Sequence, residues 1–226
     1  MSDFLVIIPA RFGSKGIPYK NLLSINGKNL IEHAFHSAQK TNLNLEIVVS
    51  SDSEIILNKA EEIGSIVHRR PKELSNDSSE TIDAVNSVLG DLRKSPKYVI
   101  VLQPTSPFRN HIHVSEAIDL VLSRECDGVI SVYKEDKEIL KSFIKNKDGY
   151  IQGVNDSDYP FMPRQNLPEV YRANGAIFIV KYSVIKSKNK LYGEKMLPYL
   201  MDKDSSLDIN TLDDLVGINY KLYKAE

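Results

Sequence analysis

Residues 4–8 are five apolar residues in a row, stopped by Pro9, and this unit of a short apolar run followed by an amphipathic stretch recurs as far as Val132. A strand with no polar position has no solvent face, so both of its sides must be covered. The covering stretches keep the helical period: Leu30, Ile31, Ala34, Phe35 and Ala38 first, then Ile82, Val85, Val88 and Leu89. Strands are expected at residues 45–49, 65–68, 98–102 and 128–132. Helices are expected from Ser53 towards Ile63, with Gly64 as a stop, and over residues 81–92 and 114–122. Strands alternating with helices in this way specify an α/β fold: a mostly parallel sheet with helices on both faces.

The pattern changes after Val132. Residues 134–171 are rich in Lys, Asp, Asn and Pro, and hold only short strand candidates at 142–145 and 150–152. They are expected to form an inserted arm within a single domain of residues 1–226. The core pattern resumes at 176–180, with a last strand expected at 207–209 and a helix from Thr211 to about Tyr223. Asp214 stands where a capping box usually has Glu or Gln. The chain of 226 residues is long enough to bury a core unaided. Its single cysteine, Cys126, excludes an internal disulfide framework and a thiolate zinc cluster. With 29 basic against 30 acidic residues, nothing suggests a nucleic-acid or membrane partner. No apolar run approaches the roughly 18 residues of a membrane span. Met1-Ser2-Asp3 has no basic n-region, so no signal peptide is expected and the protein is placed in the cytoplasm.

Ligands of open parallel sheets bind beyond the carboxyl ends of the strands, and four such ends carry unusual segments. After the first strand, Arg11, Lys15 and Lys20 surround Gly13 and Gly16, a loop suited to a triphosphate. Its spacing is neither Walker A nor Gly-x-Gly-x-x-Gly, and a solvated basic loop has the same composition. Arg70, Ser79 and Thr81 precede a helix, where they suit either a base edge or a plain N-cap. Gln103 follows the strand at 98–102, on a turn stiffened by Pro104 and Pro107. Asp208 and Asn210, two apart in the expected last strand, share one face and are spaced as oxygen ligands of Mg²⁺; a turn or a cap has the same pattern. Arg164 and Arg172 add two guanidiniums able to grip a carboxylate, or to serve an interface.

Five segments occur in order: Ile8-Pro9-Ala10-Arg11-x-Gly13-Ser14-Lys15-Gly16-Ile17-Pro18-x-Lys20-Asn21, Leu102-Gln103-Pro104-Thr105-Ser106-Pro107-x-Arg109, Pro163-Arg164-Gln165, Arg172-x-Asn174-Gly175-Ala176 and Asp208-Ile209-Asn210-Thr211. Together they resemble the CMP-sialic acid synthetases, or acylneuraminate cytidylyltransferases. The resemblance implies a Rossmann-like nucleotide-diphospho-sugar transferase fold and a homodimer paired through the arm. It implies Mg²⁺ as cofactor, with CTP and a nine-carbon nonulosonic acid giving the CMP-sugar and pyrophosphate. Arg11, Lys15 and Lys20 would then bind the triphosphate; Asn21, Arg70, Ser79 and Thr81 would surround cytosine and ribose. Gln103 would touch the sugar acid and Arg164 its carboxylate, with Arg172 and Asn174 also on the substrate side. Lys141 would reach a neighbouring subunit's site, and Asp208 with Asn210 would hold the metal. The family usually has Asp-x-Asp, so Asn210 is a departure that removes one anionic ligand. Rival readings are a legionaminic, pseudaminic or Kdo-like acceptor, or a CTP-binding protein without turnover.

Overall fold

Alternation along the first strand accounts for its unbroken apolar run. In β1 (Phe4–Pro9), Val6 and Ile8 face one apolar cluster while Leu5 and Ile7 face another on the opposite side of the sheet. All four are buried, and truncating one such side chain to Ala costs about 2–5 kcal/mol. The computed structural model describes residues 3–225. Met1 and Ser2, on which the expectation of no signal peptide partly rests, lie outside the described residues, as does Glu226.

A small hairpin, β2 (Ser24–Ile25) and β3 (Lys28–Asn29), leads into α1 (Leu30–Gln39). That helix starts in a capping box: Asn29 Oδ1 accepts from the Glu32 N–H, and Glu32 Oε2 accepts from the Asn29 N–H. The chain continues through β4 (Glu46–Ser51), α2 (Glu54–Glu62), β5 (Ile66–Arg69), α3 (Thr81–Asp91), β6 (Tyr98–Val101), α4 (His111–Ser123) and β7 (Gly128–Glu135). Ser53 takes the N-cap position of α2, but without a side-chain capping bond. The arm holds the hairpin β8 (Phe143–Lys145) and β9 (Ile151–Gly153). Then follow β10 (Val170–Lys181), α5 (Tyr182–Lys188), β11 (Met196–Leu200) and α6 (Leu212–Ala225).

The seven-stranded sheet has the order β11-β7-β10-β6-β1-β4-β5. The fold is α/β with a mostly parallel sheet; β10 alone runs antiparallel to both its neighbours. After β1 the chain builds outward through β4 and β5, then returns to the other side of β1 at β6. That reversal makes the carboxyl end of β1 the switch point where such sheets bind ligands. Helices α1 and α4 pack on the cluster containing Val6 and Ile8, and α3 and α5 on the one containing Leu5 and Ile7. Among the described residues no helix is long and apolar enough to cross a membrane.

The expected strand at 207–209 is corrected. Residues 207–210 are loop, docked by the Ile209 N–H to the Thr105 carbonyl at 2.9 Å, and the edge strand is β11. A buried Ile209 between polar neighbours imitates strand alternation without a ladder. The Thr211–Asp214 cap does form: Asp214 Oδ2 accepts from the Thr211 N–H at 2.8 Å, and Thr211 Oγ1 from the Asp214 N–H at 3.3 Å.

Candidate active site

The loops following β1, β5 and β6 enclose a cavity of about 230 Å³ at the carboxyl edge. Eight of the expected residues line it: Arg11, Lys20, Asn21, Arg70, Ser79, Thr81, Gln103 and Asn210. The loop after β1 is shaped by neighbours the sequence does not mark. Asp52 accepts from the Phe12 N–H at 2.9 Å, and Asn21 Nδ2 donates to the Arg11 carbonyl at 2.7 Å. Gly16 lies so close to the Asn210 carbonyl that a Cβ there would overlap it. Glycine is what lets the phosphate-type loop touch the 208–210 loop.

Positive charge is concentrated here and partly buried. Burial pulls the Lys20 ammonium below the usual lysine range; Asp208 opposes this and Arg11 adds to it. Arg70 is also lowered by burial, and its Nε donates to Ser75 Oγ at 2.9 Å. Arg11 is held by Asp77 at 2.9 Å, and Lys15 by the same carboxylate at 3.1 Å. Lys15 is outside the cavity lining, 80% exposed. Asp77 carries no motif and could be found only from its place beside Ser79.

A wider groove adjoins the cavity at Asn210, lined by Arg172, Asn174 and Asp208 among others. Asp208 and Asn210 do meet, not as strand neighbours but because Asn210 Nδ2 donates to Asp208 Oδ2 at 2.6 Å. Asn210 Oδ1 accepts from Lys20 Nζ at 3.2 Å. Asp208 Oδ1 is buried with no hydrogen-bond partner, an anionic atom that suits a hard cation. Arg172 pairs with Glu135 at 2.8 Å. Asn174 is buried, with its amide turned inward: Oδ1 accepts from Ser131 Oγ at 2.5 Å and Nδ2 donates to Ser206 Oγ at 2.9 Å. Next to it, Gly175 has φ 74°, and a Cβ there would press on Gln103 Oε1.

Two expected residues lie apart. Arg164 is in the arm, 2.9 Å from Asp136, and lines a separate cleft with Lys134, Lys137 and Lys203. Lys141 ends a short 3-10 turn of the arm and lines neither the cavity nor the groove. Sequence reasoning did not single out Arg109, which is buried and joins three elements: Nε donates to Ser37 Oγ, and Nη1 to the carbonyls of Gln103 and Ala176.

The cavity at the switch point is ringed by cations, and the orphan carboxylate oxygen of Asp208 lies in the groove beside it. The sequence profile of the cytidylyltransferases matches residues 5–224. The chain belongs to the cytidylyltransferase family. It is 34% identical over 217 residues to the N-acylneuraminate cytidylyltransferase of Streptococcus agalactiae serotype V, covering 95% of this chain and 52% of the relative. The chain thus spans about half the length of that protein. It is 31% identical over 215 residues to the CMP-N,N'-diacetyllegionaminic acid synthase of Legionella pneumophila, covering 92% of this chain and 90% of that one. These relatives bear out the resemblance to the CMP-sialic acid synthetases. In fold, the chain matches CMP:2-keto-3-deoxy-manno-octonic acid synthetase complexed with CTP, with a TM-score of 0.75 over 100% of both chains at 16% identity.

Proposed function

We propose that this cytidylyltransferase joins CTP to a nonulosonic acid, releasing pyrophosphate. The observation that carries the reading is the meeting of Arg11, Lys20 and Arg70 with Ser79, Thr81 and Gln103 around one cavity beside Asp208. Arg11 and Lys20 face the triphosphate from the loop after β1, with Lys15 reaching in once free of Asp77. Asn21, Arg70, Ser79 and Thr81 surround the nucleoside. The sugar acid lies in the groove beyond Gln103, its carboxylate towards the arginines, Arg172 from β10 and Arg164 from the arm.

The anomeric hydroxyl attacks the α-phosphorus in line: an O–P bond forms, the hydroxyl proton passes to solvent, the bond from the α-phosphorus to the bridging oxygen breaks, and pyrophosphate leaves. The chain supplies position and positive charge where negative charge gathers, which is the main lever in phosphoryl transfer. Asp208 fits as the protein anchor of Mg²⁺ because Oδ1 is unpartnered, with Asn210 beside it as a neutral oxygen donor. When bound, the metal would supply neutralisation of phosphate charge.

The acceptor has two readings. N-acylneuraminate is favoured by the greater identity, and a legionaminic-type acid by the full-length match to the Legionella relative. Pairing into a homodimer through the arm is part of the proposal, supported by Tyr150 and Phe161 standing 73% and 82% exposed there. Mixing protein, CTP and Mg²⁺ with a panel of nonulosonic acids and measuring pyrophosphate tests the whole reading. Release with one acid names the acceptor; CTP binding without release from any would leave a nucleotide-binding protein.

A further inference from the structure

Arg109 also lines a further cleft, of about 300 Å³, between α1, the β2–β3 hairpin and the start of α4. Six basic side chains line it: Lys28, His33, His36, Lys40, Arg109 and His111. No carboxylate does. His33, His36 and Lys40 fall on one face of α1 and its C-cap by helical spacing. Lys28 comes from the hairpin. Arg109 and His111 flank Asn110, the N-cap of the thirteen-residue α4, whose first turn has no acid to offset its partial positive charge. Glu32, beside His33 in α1, is engaged elsewhere: its carboxylate accepts from the Asn29 N–H and lies 3.9 Å from Lys59.

Arg109 makes this more than a basic surface. It is 2% exposed, and among the described residues it has no acidic partner and its Nη2 is buried without any hydrogen bond. Nε and Nη2 share one edge of the planar fork. That edge faces Ser37, which itself lines the cleft. A buried cation without a countercharge is costly, and burial drives this guanidinium down to about 9. His33 is lowered too, by burial first and then by Lys28 and Arg109, against the opposing pull of the Ile25 carbonyl and Glu32. The cleft lacks negative charge, not positive.

We propose that this cleft binds a small phosphate-bearing anion at a site separate from the nucleotide cavity. Lys28 and Lys40 draw the anion in, and Arg109 gains a countercharge. Inorganic phosphate is the probe. Titrated into ¹⁵N-labelled protein at constant ionic strength, it should shift the amides of Lys28, His33, His36, Lys40, Arg109 and His111 saturably. The double variant Lys28→Ala/Lys40→Ala, whose changes are at exposed positions, should bind at least tenfold more weakly with an unchanged melting temperature. Shifts confined to the loop from Arg11 to Asn21, or reproduced by chloride, would overturn the proposal. So would equal affinity in the double variant, or tighter saturation of the cleft by an acidic peptide than by phosphate. Because the amides report where the anion sits, the result is independent of whether the protein turns over CTP.

Discussion

Asp77 Oδ1 lies 2.9 Å from Arg11 Nη1, so a carboxylate occupies the cation proposed to meet a nucleotide's phosphates. The same carboxylate reaches Lys15 at 3.1 Å, and the hydrogen bond from Lys15 leads the effects that hold its pKa below the usual range. Asp77 stays ionised at neutral pH and competes for both cations. Its removal should therefore tighten triphosphate binding rather than weaken it. An exposed pair contributes little, so the gain should be modest. Calorimetry with CTP and with inorganic triphosphate should show Asp77→Asn binding both more tightly. Weaker binding by the variant would make Asp77 a scaffold of the site instead.

The arm presents Phe143 and Phe161 edge to face, 6.4 Å between ring centroids, with Tyr150 and Ile151 also open to solvent. Exposed aromatics this close mark an interface more often than a solvated surface. The native chain should sediment near twice 25.5 kDa. Phe161→Asp should sediment as a monomer with an unchanged circular dichroism spectrum. A variant that still pairs would move the contact away from the arm.

Asn174 ties together three segments that no local pattern connects. Its amide joins Ser131 on β7, the Ala176 N–H within β10, and Ser206 just before Asp208. Asn174→Ala removes the acceptor of the Ala176 N–H, while Ser131 and Ser206 keep their bonds to the Ile177 and Asp202 carbonyls. A loss of about 1–3 kcal/mol in urea denaturation is expected on that basis. Activity should fall as well at temperatures where the variant is fully folded, because Ser206 steadies the loop that carries Asp208. A folded variant with native rate would confine Asn174 to stability.

Much of this fold is legible in the sequence because its signals are local. Continuous apolar runs produced β1 and β6, and helical spacing produced α1 and α3 with nearly their observed bounds. The nucleotide cavity is legible too, since its residues lie at strand ends that the sheet must gather. What escapes is decided by contacts distant in sequence. The antiparallel sense of β10 follows from the return path of the arm, not from its own residues. The loop at 207–210 reads as a strand because Ile209 is buried by tertiary docking alone. Arg109 resembles any loop arginine until Ser37 and Ala176, far away along the chain, converge on it.

At the root of the arm, Glu169 sits between Lys134 and Lys137, whose hydrogen bonds lower its carboxyl to about 2. A depressed carboxyl stabilises the fold above its unfolded pKa of about 4.3. That contribution is lost as pH falls from there towards about 2. Melting curves of the native chain and Glu169→Gln should differ by a constant amount above about pH 5 and converge on acidification. A gap that persists unchanged at the acid end would show that Glu169 acts through something other than its charge. Since the carboxylate is exposed, the gap itself should be small.

Asn210 bridges an ammonium and a carboxylate, accepting from Lys20 and donating to Asp208. Asp208 Oδ1 is left as the free anionic atom. Asp208→Ala should nearly abolish turnover with little change in melting temperature, since it removes the proposed metal anchor and not a core contact. Asn210→Asp sets a second carboxylate against Asp208 Oδ2, where the amide now donates at 2.6 Å. Two adjacent carboxylates repel unless a cation lies between them, so the variant should bind divalent metal more tightly. Half-maximal rate should then need less Mg²⁺, while the rate at saturation falls if the metal holds back pyrophosphate. Isothermal titration with Mn²⁺ gives a readout independent of turnover and should move the same way. Asn210 is also near the start of α6, but Thr211 caps that helix with Asp214, and Asp caps about as well as Asn. A merely structural Asn210 would therefore leave both titrations unmoved on substitution by Asp, and that result would remove it from the metal site.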